Sequence, residues 1–505
     1  MKWCAAFWIN AAARYFPRSA YCIAVSFLML VGCGVATCAL ANSPGGPLPD
    51  ACTCLALYFL AALAVARFVR SRILAVVLIM AASLLLHIAV LVLTRANFDQ
   101  AMASDFIGPA VCISESKTVA WHNPLFFYWC NYEFVCSVLG DLFGRGIVVG
   151  QALNMACCVL AIPPVFVIAE RIGGFFAAVF TAIFMGSAPF LLIYSTILTN
   201  EFVATFFYVY FFYFLLECAE DIPVKKVLLN AVPSGLCLGL GLLFKPVFAI
   251  FACTMAFGLF VMICSRRKAK IVSWVLACLV ICLVSRFSSG VVQACMSEIA
   301  KPRVLRQESG STLLIRSILI GLHRESNGQW YLESSDLETK SEEELKALLK
   351  ERVKRDFMSY PQLFLRKLNI VYASPDWMVW YNDTIAPKTA PAWVQRLVNV
   401  WHKAFWILFM MGSAGLIVAF CAKRGNTMTG LLLLATIGAF TAAILLIEGQ
   451  PRYKTSFYPL FFLVVPYASV WLEGQNPVYG FLCRGARRTF SFLKDIRKGG
   501  VRNGR

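Results

Sequence analysis

The residues most able to do chemistry sit in a few polar interruptions of a mostly apolar chain. The first, 95–128, reads RANFDQAMASDFIGPAVCISESKTVAWHNPLFFY. It carries Asp105, a rival acid in Asp99, and His122. An acid held at a membrane boundary beside a polar loop is a candidate general base. The plain alternative is that Asp105, after Ser104, caps a short interfacial helix. A second acid, Glu201, closes the polar Thr199-Asn200-Glu201 step, where an acid is also favoured by the dipole of a starting helix. The cations are Lys245 before Pro246 and Arg452 in the turn GQPRYK, with Lys454, Arg145 and His122 as weaker candidates. Lysines also snorkel to headgroups, arginines also bind lipid phosphate, and His122 also suits a structural place. Acid and cations on one face would combine a base for an incoming hydroxyl or amine with a receiver for a leaving anion.

Those residues must be held by apolar helices. The chain is 60% hydrophobic and 14% charged over 505 residues, against about 25% charged in soluble domains. A soluble protein is excluded. Apolar runs of spanning length, about 20 residues, occupy 20–41, 51–68, 73–94, 147–169, 175–194, 202–216, 227–244, 247–264, 271–284, 400–422, 428–447 and 457–471. The 20–41 run follows Lys2, Arg14 and Arg18 and ends like a signal peptide, but its length makes it an uncleaved first helix. The aromatic stretch 124–140 reads as a helix along the membrane surface. The fold class is therefore an all-α polytopic membrane protein of about twelve transmembrane helices, with a polar domain between helices nine and ten.

The net charge of +19 does not indicate nucleic acid, because the basic residues crowd short loops and the tail. That is the positive-inside pattern. It puts 67–72, 170–171, 217–226, 266–270 and the tail at the cytoplasmic side, with both termini. Asp105, Glu201, Lys245, Arg452 and the 288–395 region then share the opposite side. The expected divisions are an N-terminal segment and hairpin (1–72), a core with a first outer loop at 95–145 (73–287), an extracytoplasmic domain (288–395), C-terminal helices (396–475) and a basic tail (476–505). Within the polar domain, Ser341 and Glu344 have capping-box spacing, and Leu345, Leu348, Leu349 and Val353 follow at helical spacing. The aromatic DWMVWY stretch, 376–381, suits an interface belt. The twenty cysteines show no metal spacing; Cys52, Cys54, Cys157 and Cys158 lie in apolar runs as small buried hydrophobes, with no disulfide framework.

Four stretches resemble the GT-C superfamily of membrane glycosyltransferases, of the family 39-like, protein-mannosyltransferase and aminoarabinose-transferase type. They are SDFIGPAVCISES with HNPLFFYW; LFGRGIVVGQALNMACCVLAIPPVFVIAERIGG; SAPFLLIYSTILTNE; and GQPRYKTSFYPLFFLVVPYA, which carries Tyr453 and Pro459. The stretch GLHRESNGQWYLESSD also looks like a segment of some bacterial relatives, and there it would shape the acceptor site. The chain departs from the pattern in a preceding helical hairpin, in His122-Asn123-Pro124 for His-Pro-Pro, and in Lys245 where relatives often have arginine.

The resemblance implies transfer of a sugar, with inversion, from a polyprenyl-phosphate donor to an extracytoplasmic acceptor: protein, lipid or envelope glycan. It implies a bacterial cytoplasmic membrane as the location. Asp105 is then the base and Glu201 a second catalytic acid. Arg452, Lys245 and Tyr453 bind the phosphate, with His122, Lys454 and Arg145 behind them. The resemblance fixes no cofactor and leaves a divalent metal open, because relatives differ in metal dependence; the chain itself shows no metal-ligand cluster. A transporter or flippase of a lipid-linked precursor is the alternative. Against it stand the large polar region and the absence of paired broken helices in matching halves. A non-catalytic assembly partner would not need acids and cations on one face.

Overall fold

A computed structural model describes residues 48–69, 71–94, 127–144, 146–220, 222–264, 268–300, 310–329, 331–373, 392–421 and 427–470. The 20–41 run, the loop with Asp99, Asp105 and His122, Arg145, the 376–381 aromatics and the basic tail lie outside them. Among the described residues there are helices and turns but no strand, and eight helices are long and apolar enough to cross a membrane. The protein is an all-α polytopic membrane protein.

Helices α1 (Leu48–Phe68) and α2 (Arg72–Thr94) form a peripheral hairpin. Leu57, Leu60, Leu85 and Val92 point outward, as lipid-facing side chains do. Cys52 also faces out and Cys54 is half-buried, contrary to expectation, because α1 lies at the edge of the bundle; Cys157 and Cys158 are buried as expected. The aromatic stretch forms α3 (Phe127–Phe143), whose Asn131, Tyr132 and Cys136 are buried while Leu142 and Phe143 are exposed.

Next come α4 (Gly146–Leu160) and α5 (Ile162–Gly186). α5 is broken at Gly174, with φ 82° and ψ −179°, a conformation open in practice only to glycine. The chain reverses there. The Phe166 and Phe175 rings meet edge to face at 6.0 Å, although nine residues of straight helix would separate them by about 13 Å. This break divides the two expected spans 147–169 and 175–194.

The centre of the bundle is α7 (Glu201–Ala219), α8 (Val224–Phe244) and α10 (Lys268–Ala300). Small residues let α8 and α10 approach closely. A Cβ on Gly235 would stand 2.8 Å from the Val284 Cβ, and one on Gly239 would meet Ser285 and Ser288. α10 has 33 residues and runs past the expected boundary at 288. α9 (Phe248–Cys264) packs on α15 (Thr427–Leu446), joined by Thr254 and Thr436 hydroxyls 3.0 Å apart. Between them in sequence lies α14 (Ala392–Cys421), whose Trp401 stacks on Phe184 of α5 at 4.6 Å.

The stretch expected as a last helix, 457–471, is more tightly coiled. A 3₁₀ turn (Pro451–Phe457) leads into α16 (Tyr458–Phe462), and then Val464 and Val465 bond back to carbonyls three residues earlier. Pro466 lacks an N–H and would strike the carbonyl of Phe462 in a continued α-helix. The segment is almost wholly buried.

At one end of the helices, Arg72 pairs with Glu170 at 2.8 Å, and Arg171 pairs with Glu217 and, at 3.0 Å, with Glu220. These residues sit at helix ends and at the break in α5, in three places that the charge pattern assigns to one side. Among the described residues the polar region contains α11 (Gly310–Gly321), a 3₁₀ turn (Leu332–Thr339), α12 (Glu342–Asp356), α13 (Tyr360–Leu368) and a π turn (Asn369–Ala373). The capping box forms as expected: the Ser341 N–H donates to Glu344 at 2.7 Å, and the Ser341 hydroxyl accepts from the Glu344 N–H at 3.4 Å. Leu345 packs with Leu319 and Leu337 in a small separate core.

Candidate active site

The site begins with a break in regular structure. Between α5 and α7 the chain makes α6 (Pro189–Tyr194) and an irregular buried turn through Asn200. Irregular backbone inside a membrane bundle must find its hydrogen bonds within the protein. Here amide side chains supply them. Gln151 of α4 donates to the Thr196 carbonyl at 2.8 Å, and Asn154 to the Ile197 carbonyl at 2.7 Å. The two stand three residues apart, on one face of α4. The Tyr132 hydroxyl donates to Asn154 at 3.1 Å. Two further amides take the open carbonyls at the end of α8: Asn131 donates to Leu243 and Asn200 to Phe244, both at 2.6 Å.

This framework puts the start of α7 beside the end of α8. The Lys245 ammonium donates to the Glu201 carboxylate at 3.0 Å, with side chains 13% and 3% exposed. The Tyr194 hydroxyl reaches the other carboxylate oxygen at 3.5 Å, and the Tyr208 hydroxyl donates to the Lys245 carbonyl. Burial lowers the pKa of Lys245, just past the end of α8; Glu201 opposes that fall and Arg452 adds to it.

The late turn covers the pair. The Lys245 ammonium lies 4.8 Å from the centre of the Tyr453 ring, and the Arg452 guanidinium lies 5.8 Å from that centre. Both are within cation–π range. The Tyr453 hydroxyl donates to Glu448 at 2.9 Å, and Gln450 donates to the other Glu448 oxygen. Thr205 on α7 donates to the Thr455 carbonyl at 3.2 Å and ties the turn to the same helix.

Four of the sequence candidates, Glu201, Lys245, Arg452 and Tyr453, therefore form one cluster. Lys454 does not join it: it is buried with its ammonium 5.7 Å and 6.0 Å from the Tyr372 and Tyr458 ring centres. Asp105, His122 and Arg145 lie outside the described residues. Among the described residues, no group of three or more His, Cys, Asp or Glu is placed to hold a metal ion. The sequence reading missed Tyr194, Glu448 and the amides Asn131, Gln151, Asn154 and Asn200. The amides did carry a signal, since polar side chains inside apolar runs are rare and have reasons to be there.

Residues 122–288 match the family model of dolichyl-phosphate-mannose-protein mannosyltransferases. The matched part holds Glu201, Lys245 and all four amides, while Arg452 and Tyr453 lie beyond it. Two solved structures of ArnT from Cupriavidus metallidurans resemble this chain. The one bound to undecaprenyl phosphate is 13% identical over 80% of this chain and 78% of its own, with a TM-score of 0.34. The apo form is 14% identical over 67% and 66%, with a TM-score of 0.26. No curated protein matches the chain by sequence.

Proposed function

We propose that this chain transfers a sugar from a polyprenyl-phosphate donor to an acceptor outside the cytoplasm, with inversion at the anomeric carbon. The observation that carries the proposal is the buried Lys245–Glu201 pair covered by Tyr453, with Arg452 on the same ring. A departing polyprenyl phosphate needs cations fixed before the charge develops. Arg452 offers a two-pronged donor and Lys245 a compact charge. Glu201 orients the lysine and favours its charged form. Asp105 is the base: it takes the proton of the acceptor hydroxyl or amine as that atom bonds to the anomeric carbon and the bond to phosphate breaks. The anchoring of Asn131 two residues before Lys245 supports this reading, because the loop with Asp105 and His122 runs directly into α3. The site faces the extracytoplasmic side of a bacterial cytoplasmic membrane, with both termini inside. The 288–395 region lies on the site's side and shapes acceptor access.

The test is sugar transfer in purified membranes supplied with a panel of radiolabelled polyprenyl-phosphate sugars, comparing wild type with Asp105→Asn. Transfer by wild type and its loss in the variant at equal protein level supports both the activity and the base. Activity that survives in the variant moves the base to Asp99 or Glu201. No transfer by wild type from any donor, with protein and lipid acceptors present, would sink the proposal.

A further inference from the structure

Lys367, near the end of α13, is fully buried in the polar region, far in sequence from every residue of the candidate site. Its ammonium has three N–H groups, and three backbone carbonyls take them: Gly321 at 2.9 Å, Leu445 at 2.9 Å and Ile447 at 2.6 Å. Those carbonyls stand at the C-terminal ends of α11 and α15, where helix dipoles favour a cation. One side chain thus joins the polar region to the chain that enters the Arg452 turn.

The backbones close around this lysine. The Glu448 N–H donates to the Ser317 carbonyl at 3.1 Å, and the Gly449 N–H to the Gly328 carbonyl at 2.9 Å. Three glycines make the approach possible. A Cβ on Gly321 would run into the Ile447 carbonyl, and one on Gly449 would stand 3.1 Å from Lys367 Cε. Gly328 has φ +73°, and a Cβ there would fall 2.6 Å from the Gly321 carbonyl and 2.8 Å from Lys367 Cδ. Two of the three, Gly321 and Gly328, lie in the stretch GLHRESNGQW. From this knot the contacts run straight to the candidate site: Glu448 accepts from Tyr453, whose ring covers Lys245.

We propose that Lys367 is a positioning residue for the 448–453 turn: by pinning Leu445 and Ile447 to Gly321, it holds Tyr453 and Arg452 in register with the Lys245–Glu201 pair. The inference rests on reading that turn as the donor-phosphate site. It gives the GLHRESNGQW stretch a defined task, which is to supply the other half of the latch.

The test uses the full-length protein in nanodiscs with undecaprenyl phosphate as the probe. Wild type, Lys367→Met and Gly328→Ala are compared for probe affinity and for amide hydrogen exchange. Gly328→Ala displaces the lysine from a surface loop and serves if the methionine variant does not fold. The expected result is faster exchange across 446–453 with α7 and α8 unchanged, and affinity weaker by about tenfold, equivalent to about 1.4 kcal/mol. In the transfer assay the donor KM should rise with kcat within about twofold, whereas mere loss of folded protein lowers kcat and leaves KM alone. Unchanged exchange in the turn, or a loosened turn with unchanged affinity, overturns the proposal. Failure of wild type to bind the probe overturns the donor reading itself, and is recognisable because it precedes any variant.

Discussion

Helix α7 carries an ionic cluster at each end, and the two are built differently. Glu201 and Glu217 are sixteen residues apart, about 24 Å along the axis, against a hydrocarbon thickness of about 30 Å. At the Glu217 end, Arg171 is 36% exposed and Glu220 50% exposed, open to water and salt. At the Glu201 end the pair is nearly dry and ringed by tyrosines. Exposed pairs stabilise little, while a buried pair barely repays its own desolvation yet is costly to break. The Glu217 end is therefore explained by loop packing and topology alone. The Glu201 end is a poor way to gain stability, and the proposed donor-phosphate site would account for it.

Breaking the buried pair should have the largest effect. Lys245→Met leaves the Glu201 carboxylate without its lysine, which costs about 3–5 kcal/mol, seen as a lower melting temperature in detergent along with loss of transfer. The double variant Glu201→Gln/Lys245→Met should regain most of the stability but none of the transfer; if transfer also returns, the pair is only structural.

Arg452→Lys should cost only about 1 kcal/mol of stability yet raise the donor KM by about tenfold, because a lysine lacks the two-pronged fork. An unchanged KM would move phosphate binding to Lys245 alone.

The next effect is a pH dependence at the latch. Burial holds Lys367 down at about 7, with Glu448 the charge that opposes the fall. Its folded pKa is thus below the unfolded value of about 10.4. The protonated lysine opposes folding in full below pH 7, and the opposition fades as pH rises from 7 toward the unfolded value. The melting temperature of wild type minus that of Lys367→Met should therefore increase by a few degrees, about 2–4 °C per kcal/mol, between pH 6 and pH 9. A flat difference would show that Lys367 keeps one charge state across that range.

Smallest is the exposed end: Arg171→Gln should change stability by less than about 1 kcal/mol and leave transfer intact. A large loss of transfer there would erase the contrast between the two ends.

Much of this was legible in the sequence because membrane topology is a strong constraint. Alternation of apolar runs and basic loops sufficed to bring Glu201, Lys245 and Arg452 to one side, although Arg452 is more than two hundred residues away from either. The Ser341 cap was legible because it is local. The tight coil after Phe457 had a signal in Pro459 and Pro466 that apolar length concealed. Lys454 was grouped with its neighbour Arg452 on sequence proximity, but a 3₁₀ turn sends adjacent side chains in different directions. Lys367 was invisible, since its three carbonyls come from distant parts of the chain and backbone carbonyls have no sequence signature.

The amides of α4 also set an order of events in biogenesis. The turn before Glu201 cannot rest in lipid with bare carbonyls, and Gln151 and Asn154 satisfy them only once α4 lies against α7. Helices of this kind enter the bilayer first and associate afterwards. The acidic end of α7 is therefore completed by helix docking rather than by insertion. A chain stalled before that step has its spans in place but no finished site, and it carries unmet carbonyls at the depth where they cost most.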